Sequence, residues 1–129
     1  MPDYTITNLL QLDDLAAGSA VGIEARFARS HIDSEHLGVT HMRYGPDTRS
    51  PMAHSHVEQE EVYLVISGSG QMKLDDVVVD VGPWDIVRVA PATIRAFHSG
   101  ADGLELIIIG SDRPQDGDGV IAPDGFWEG

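Results

Sequence analysis

The chain has 129 residues, 42% of them apolar, which is enough for one domain with a buried core. The absence of cysteine excludes disulfides, thiolate-held zinc and thiol catalysis, so any metal must be held by histidine, carboxylate or water. A formal charge of −13 repels nucleic-acid phosphates and anionic lipid, and excludes both as partners.

The opening stretch "MPDYTITNLLQLDD" lacks a basic leader followed by an apolar run, and no segment approaches the roughly 18 apolar residues of a membrane span. The expected setting is therefore soluble and cytoplasmic. "NLLQLDDLAAG" (8–18) predicts a short helix with Asn8 as N-cap and Gly18 at its end. "IEARFARSHID" (23–33) and "LGVTHMRY" (37–44) alternate apolar and polar residues and are close enough to form a hairpin. "EVYLVIS" (61–67) is a β-branched and aromatic run, and "SGSG" (67–70) predicts a turn after it. "VVVDV" (77–81), the turn "GPW" (82–84), "DIVRVA" (85–90), "TIRAFH" (93–98) and "LELIIIG" (104–110) follow, separated by Pro or Gly-Asp. Short strands at this spacing indicate an all-β sandwich or barrel, a single domain over 1–129 with the barrel at about 23–110. Residues 111–129, rich in Gly, Pro and Asp, read as an irregular tail pinned to the body by Phe126 and Trp127. Trp84 is expected to pack at its turn, and His31 and His36 to lie at the surface.

The chemistry concentrates in "PMAHSHVEQEEVYLVISGSG" (51–70). Side chains two apart on a strand share a face, so His54 and His56 can reach one ion. A carboxylate from Glu58, Glu60 or Glu61 on a neighbouring strand would complete a set of two nitrogens and one oxygen, which suits Fe, Mn, Ni or Zn and leaves positions open for substrate or water. The plain alternative is a chance His-x-His beside solvated acidic residues. Glu61, Tyr63 and Val65 share one face of their strand, while Val62, Leu64 and Ile66 share the other. Tyr63, Met42, Met72 and Phe97 are candidates for a small-molecule cavity or for plain core packing. Arg43, Arg88 and Arg95 lie in strand patterns, where Arg88 reads as outer-face cover.

This stretch resembles the first motif of the cupin superfamily, in its small single-domain form. His54, His56, Glu61 and Gly68 match the family's H-X-H-(X)4-E-(X)6-G portion, and the spacing selects Glu61 among the three glutamates. Thr48 stands where the family has a leading glycine. The second motif survives in outline in "GPWDIVRVAPATIRAFH" (82–98), and aligned on Pro91 it places Arg95 where the family has a third histidine. The resemblance implies a double-stranded β-helix, a jelly-roll-like barrel, holding a divalent ion (Zn, Fe, Mn or Ni) on His54, His56 and Glu61.

Arginine stays protonated and cannot ligate a cation. Three readings therefore stand. The site has three protein ligands, with Arg95 binding an anionic substrate; or His98 or His41 supplies a fourth; or the metal is lost and Arg95 pairs with Glu61. The implied function is metal-assisted chemistry on a small oxygen-rich metabolite, of isomerase, lyase or dioxygenase type, with Arg95 and Tyr63 contacting substrate. The alternative is a non-catalytic binding or sensing module. The apolar second face of 62–66 needs cover from the tail, the N-terminal segment or a second subunit, and a homodimer is expected.

Overall fold

A computed structural model describes residues 1–18 and 22–128. The described residues form eight strands: β1 (Ile23–Phe27), β2 (Gly38–Tyr44), β3 (His54–His56), β4 (Glu61–Leu74), β5 (Val77–Val81), β6 (Ile86–Val89), β7 (Arg95–Gly110) and β8 (Gly119–Ile121). All pairings are antiparallel. One path runs β1-β2-β7-β3-β8, and β4 pairs with β5, β6 and β7. The sheet curls on itself, as expected for a jelly-roll-like barrel. No helix among the described residues is long and apolar enough to cross a membrane.

Two long strands organise the barrel. The first half of β4 pairs with β6 and with the second half of β7, while its second half pairs with β5 and with the first half of β7. The register shifts between Val65 and Ser67 and again between Gly68 and Gly70. "SGSG" is therefore a bulge inside one 14-residue strand and not the expected turn. Its glycines signal a bend in both readings, but here the strand continues through it. Gly68 has φ +79°, and a Cβ there would collide with the Gly103 carbonyl on β7. The turn falls instead at Asp75–Asp76, between paired Leu74 and Val77, with Asp75 at φ 53°. For the same reason 93–98 and 104–110 merge into the single strand β7, which bends at Gly103 (φ 77°).

Other expectations shift locally. Of residues 8–18 only Leu9–Gln11 is helical, as one 3₁₀ turn, and the Asn8 side chain caps it at 2.9 Å from the Leu10 amide. The β1–β2 hairpin forms, but β1 ends at Phe27 and a 3₁₀ turn, Ser30–Ile32, carries the connection. Trp84 does not pack: it has φ 71° and is 72% exposed. The tail is not wholly irregular, because β8 pairs with β3 and extends the barrel wall. Phe126 and Trp127 do pin its end: the Lys73 Nζ donates to the Phe126 carbonyl, and the Arg49 guanidinium lies 5.3 Å from the Trp127 ring centroid.

Inward-facing Tyr63 and Val65 join Tyr44, Met72, Phe97, Leu104 and Leu106 in the core. Tyr63 and Tyr44 flank Phe97, with ring centroids 5.2 and 6.1 Å away. The opposite face of β4 (Val62, Leu64, Ile66) is only half-buried, and neighbouring Ile86 is 69% exposed. The N-terminal segment packs elsewhere, where the Leu15 amide donates to the Ala25 carbonyl of β1.

The bulge makes a clear demand on residue 68. Gly68→Ala adds both a left-handed alanine and a backbone collision, and is expected to cost about 3 kcal/mol. Gly82→Ala, where an added Cβ meets nothing within 4 Å, should stay within about 0.5 kcal/mol of wild type. Urea unfolding of both variants checks this, and equal losses would contradict the bulge.

Candidate metal centre

β3 is three residues long and lies between β7 and β8, with His54 opposite Arg95 and Ile121 and His56 opposite Gly119. Strand alternation turns both imidazoles to one side, with Ser55 on the other. The chain then loops through 57–60 and enters β4 at Glu61. There the Glu61 Oε1 stands 3.1 Å from the His56 Nε2 and 3.8 Å from the His54 Nε2. The ligand atoms of His54, His56 and Glu61 all lie within 4.8 Å of one another. Two ligands about 2.1 Å from one ion, at tetrahedral or octahedral angles, stand roughly 3.0–3.4 Å apart, so this set fits a divalent cation with little movement. The side chain of His54 is 37% exposed and marks the open side, while those of His56 and Glu61 are largely buried.

Buried groups fix the set from behind. The Tyr63 hydroxyl donates to the Glu61 Oε1 at 2.6 Å. Burial pushes the Glu61 carboxyl upward, but the two imidazoles and this hydroxyl outweigh it and hold the group well below the usual carboxylate range. Burial, and then the negative Glu61, raise Tyr63 well above the ordinary phenol value, so it remains a donor. On the far side of His56, Nδ1 lies 2.9 Å from the Asp118 Oδ1. The hydrogen bond to Glu61 raises the pKa of His56 against the opposing effect of burial, and Asp118 adds to the rise. Asp118 is itself held by the backbone amides of Glu58 and Gln59, each donating to its Oδ2 at 2.7 Å. Burial pushes this carboxyl up, yet those amides keep it far below its ordinary value. A carboxylate on the remote nitrogen of a ligating histidine is the usual way such a ring is oriented.

Arg95 is 1% exposed, and its Nη2 lies 3.9 Å from the Glu61 Oε1. Its other contacts are long: Nη1 to the Pro91 carbonyl at 3.3 Å and Nη2 to the Ala90 carbonyl at 3.4 Å. Its Nε has no hydrogen-bond partner. A buried guanidinium with an unused donor, beside an already shared carboxylate, retains capacity for a ligand anion.

The structure thus gathers His54, His56 and Glu61, with Tyr63 and Arg95 next to them. It does not bring in His98 or His41. The His98 Nε2 is 2.7 Å from the Asp47 Oδ1, and its ring packs edge-on against Trp127. Three residues along regular β7 reverse the side chain's face relative to Arg95. His41 lies on the outer side of β2, with Nε2 2.7 Å from the Glu105 Oε2, while its neighbours Thr40 and Met42 line the cavity. Of the other glutamates weighed, Glu60 pairs outward with Arg88 at 2.9 Å. Sequence reasoning missed Asp118 and Gln59. Asp118 sits in the tail some 60 residues from its partners, and a Gly-Asp-Gly step, Gly117–Gly119, is its one local signal.

The centre opens on a cavity of about 580 Å³. Met42, Tyr44, Phe97 and Ile108 give it apolar walls, and Arg29 and Arg113 also border it. Met72, the remaining candidate for its lining, belongs to the core instead.

No family model matches the chain, and no curated protein matches it. Solved structures do. An oxalate decarboxylase from Bacillus subtilis shares 19% identity at a TM-score of 0.74 over 91% of this chain, which spans only 32% of that protein. The polyketide cyclase RemF from Streptomyces resistomycificus is 15% identical, with a TM-score of 0.74 over 96% of this chain and 90% of its own. An RmlC-like cupin from Shewanella frigidimarina is 16% identical, with a TM-score of 0.70 over 88% and 96% of the two chains. At these identities the likeness is one of fold, and it agrees with the strand pairing and the His-x-His motif: the chain has the cupin fold.

Proposed function

We propose that the protein is a metal-dependent enzyme acting on a small, oxygen-rich anionic metabolite, with a divalent ion held by His54, His56 and Glu61. The observation that carries this reading is the convergence of two imidazole nitrogens on one buried, ionised carboxylate oxygen at the wall of the cavity. A nitrogen–nitrogen–oxygen set suits Zn, Fe, Mn or Ni. A bound ion would supply Lewis acidity toward a substrate oxygen or, if redox-active, a site for dioxygen. The structural neighbours are named for a decarboxylase and a cyclase, so this fold carries more than one reaction, and isomerase, lyase and dioxygenase chemistry are all compatible with it.

The chain's own residues have separable parts in this reading. Arg95 holds an anionic group of the substrate beside the centre. Tyr63 positions Glu61 and keeps it ionised. Asp118 sets the ring of His56. The apolar walls exclude water and strengthen every polar contact within.

A second reading, a non-catalytic binding module, draws support from the hydrogen bonds that His56 and Tyr63 already make to Glu61 and from the nearness of Arg95. Metal analysis separates the two. Protein purified without added metal is expected to hold close to one equivalent, and His54→Ala/His56→Ala to hold none. Metal-free wild type that stays empty when offered Zn, Fe, Mn or Ni would favour the binding module.

His56 lies between two carboxylates, an arrangement that favours its protonated form, and its pKa is raised above the ordinary value. A proton on Nε2 competes with a cation. Metal affinity should therefore fall as pH drops through that raised value and strengthen above it. Asp118→Asn removes the orienting charge and is expected to weaken metal binding by about 10- to 100-fold. Competition titrations with a chelator across about pH 5.5–8.5, a window bracketing the ordinary imidazole range, check both, and a flat profile would place the proton elsewhere.

We further propose a homodimer. The tail runs along β3 and the N-terminal segment along β1, so neither covers the apolar outer face around Val62, Leu64 and Ile86. Sedimentation equilibrium is expected to give twice the chain mass, and Leu64→Glu to shift it toward the monomer.

A further inference from the structure

We infer that the cavity carries a second anion subsite, formed by Arg29 and Arg113, and that its ligand is an organic dianion, a dicarboxylate being the simplest form. This rests on the reading above that Arg95 receives one anionic group beside the metal centre.

The chain has 21 acidic residues and 8 basic ones, and its arginines are unevenly partnered. Four of the seven arginines have carboxylate partners: Arg26 with Glu24 at 3.0 Å, Arg43 with Glu105 at 2.9 Å, Arg49 with Glu128 at 3.5 Å and Arg88 with Glu60 at 2.9 Å. The other three, Arg29, Arg95 and Arg113, all border the same cavity. Among the described residues, Arg29 and Arg113 form no ion pair. Arg95 has only the 3.9 Å approach to a Glu61 oxygen already shared with two histidines and a tyrosine. With acidic residues in such excess, leaving three guanidiniums without a carboxylate of their own around one space points to a ligand that brings the missing charge.

Arg29 and Arg113 both border the cavity, and Arg29 is tied to residue 111, two before Arg113. The Arg29 Nη2 donates to the Ser111 carbonyl at 2.9 Å, which fixes the half-buried guanidinium against Gly38 and leaves its remaining donors available. Arg113 reaches only the Pro114 and Gln115 carbonyls, both at 3.4 Å. Burial lowers the pKa of Arg29, and the charge of Arg113 lowers it further, so the two guanidiniums feel each other. Asp112 partly offsets this, but its carboxylate is turned to the His36 Nδ1 at 2.9 Å. Each guanidinium can offer paired N–H donors to a carboxylate or phosphate oxygen pair.

The two subsites are separated. Gly38, under Arg29, pairs with Gly110, and Gly110 pairs on its other side with Glu61. Arg29 therefore lies over a strand two removed from Glu61, about 10 Å across the sheet. Arg95 lies against Glu61 itself. Between the poles the Gln59 side chain lies over Gly110, and Thr40 and Ile108, one row along the same face, line the cavity, so a body joining two anionic ends would pass over Gln59 and against Ile108.

The test uses linear α,ω-dicarboxylates from succinate to azelate and, at each length, the matching monocarboxylate, with affinities from calorimetry on the protein as purified and metal content measured in the same samples. A dicarboxylate near the length of the gap is expected to bind at least tenfold tighter than its monocarboxylate. Arg29→Gln/Arg113→Gln should abolish that advantage while leaving the monocarboxylate affinity and the metal content unchanged. Arg95→Gln should weaken both ligands. Equal binding of the two ligand types by wild type, no measurable binding of either, or a dicarboxylate advantage that survives the double variant would each overturn the inference. Loss of the metal reading is recorded separately, by the metal content, because the dicarboxylate preference depends on arginines alone.

Discussion

One buried carboxylate oxygen, the Glu61 Oε1, sets the terms for everything around it. A charge so placed is costly unless hydrogen bonds and opposite charges replace the lost water. Four groups answer that demand: the Tyr63 hydroxyl at 2.6 Å, the His56 Nε2 at 3.1 Å, the His54 Nε2 at 3.8 Å and the Arg95 Nη2 at 3.9 Å. They come from three strands, so the barrel must close before the charge is satisfied. The same convergence that keeps Glu61 ionised also presents an anionic oxygen and two nitrogens to one point in space. The groups that compensate the buried charge are thus the same groups that could hold a cation.

That arrangement depends on strand geometry more than on any loop. Glu61 and Tyr63 project from the start of β4, and Arg95 from the start of β7. These are the two strands whose bulges and bends at Gly68, Gly70 and Gly103 let one ladder serve both walls of the barrel. β3 is short, yet it is held from both sides, by Arg95 of β7 and by β8 from the tail. Through Asp118 the tail then reaches past its own strand to tie down the 57–59 loop and the ring of His56. The carboxyl-terminal segment is part of the centre's scaffold, although it contributes no atom to the set itself.

Legibility in the sequence follows the range of each interaction. His54, His56 and Glu61 are readable because period-two alternation and a fixed spacing are local facts. The inward set Glu61, Tyr63 and Val65 follows from the same rule. The "SGSG" segment misleads because glycine marks a turn and a bulge equally, and only the partner strand decides between them. Its partner, Gly103, lies some 35 residues away. Asp118 and Gln59 stay hidden for the same reason, since nothing near either residue announces the other. His98 as a fourth ligand needs a bulge in β7 between Arg95 and His98, and the strand is regular there, pairing Arg95 with Leu74 and His98 with Gln71 in step.

The charge distribution has a consequence for any anionic ligand. With a net charge of −13, the exterior repels the molecules that the cavity arginines would favour. At physiological ionic strength that repulsion is screened within about 8 Å of exposed charges. Inside the cavity, with apolar walls and little mobile salt, screening is weaker and each guanidinium counts for more. The balance therefore turns in the ligand's favour only after entry. Arg29 and Arg113, at the rim, are where an entering anion would first meet attraction, and Arg95, beside Glu61, is where it would finish. A monovalent anion gains one of these contacts at a time, whereas a dianion of matching length gains both.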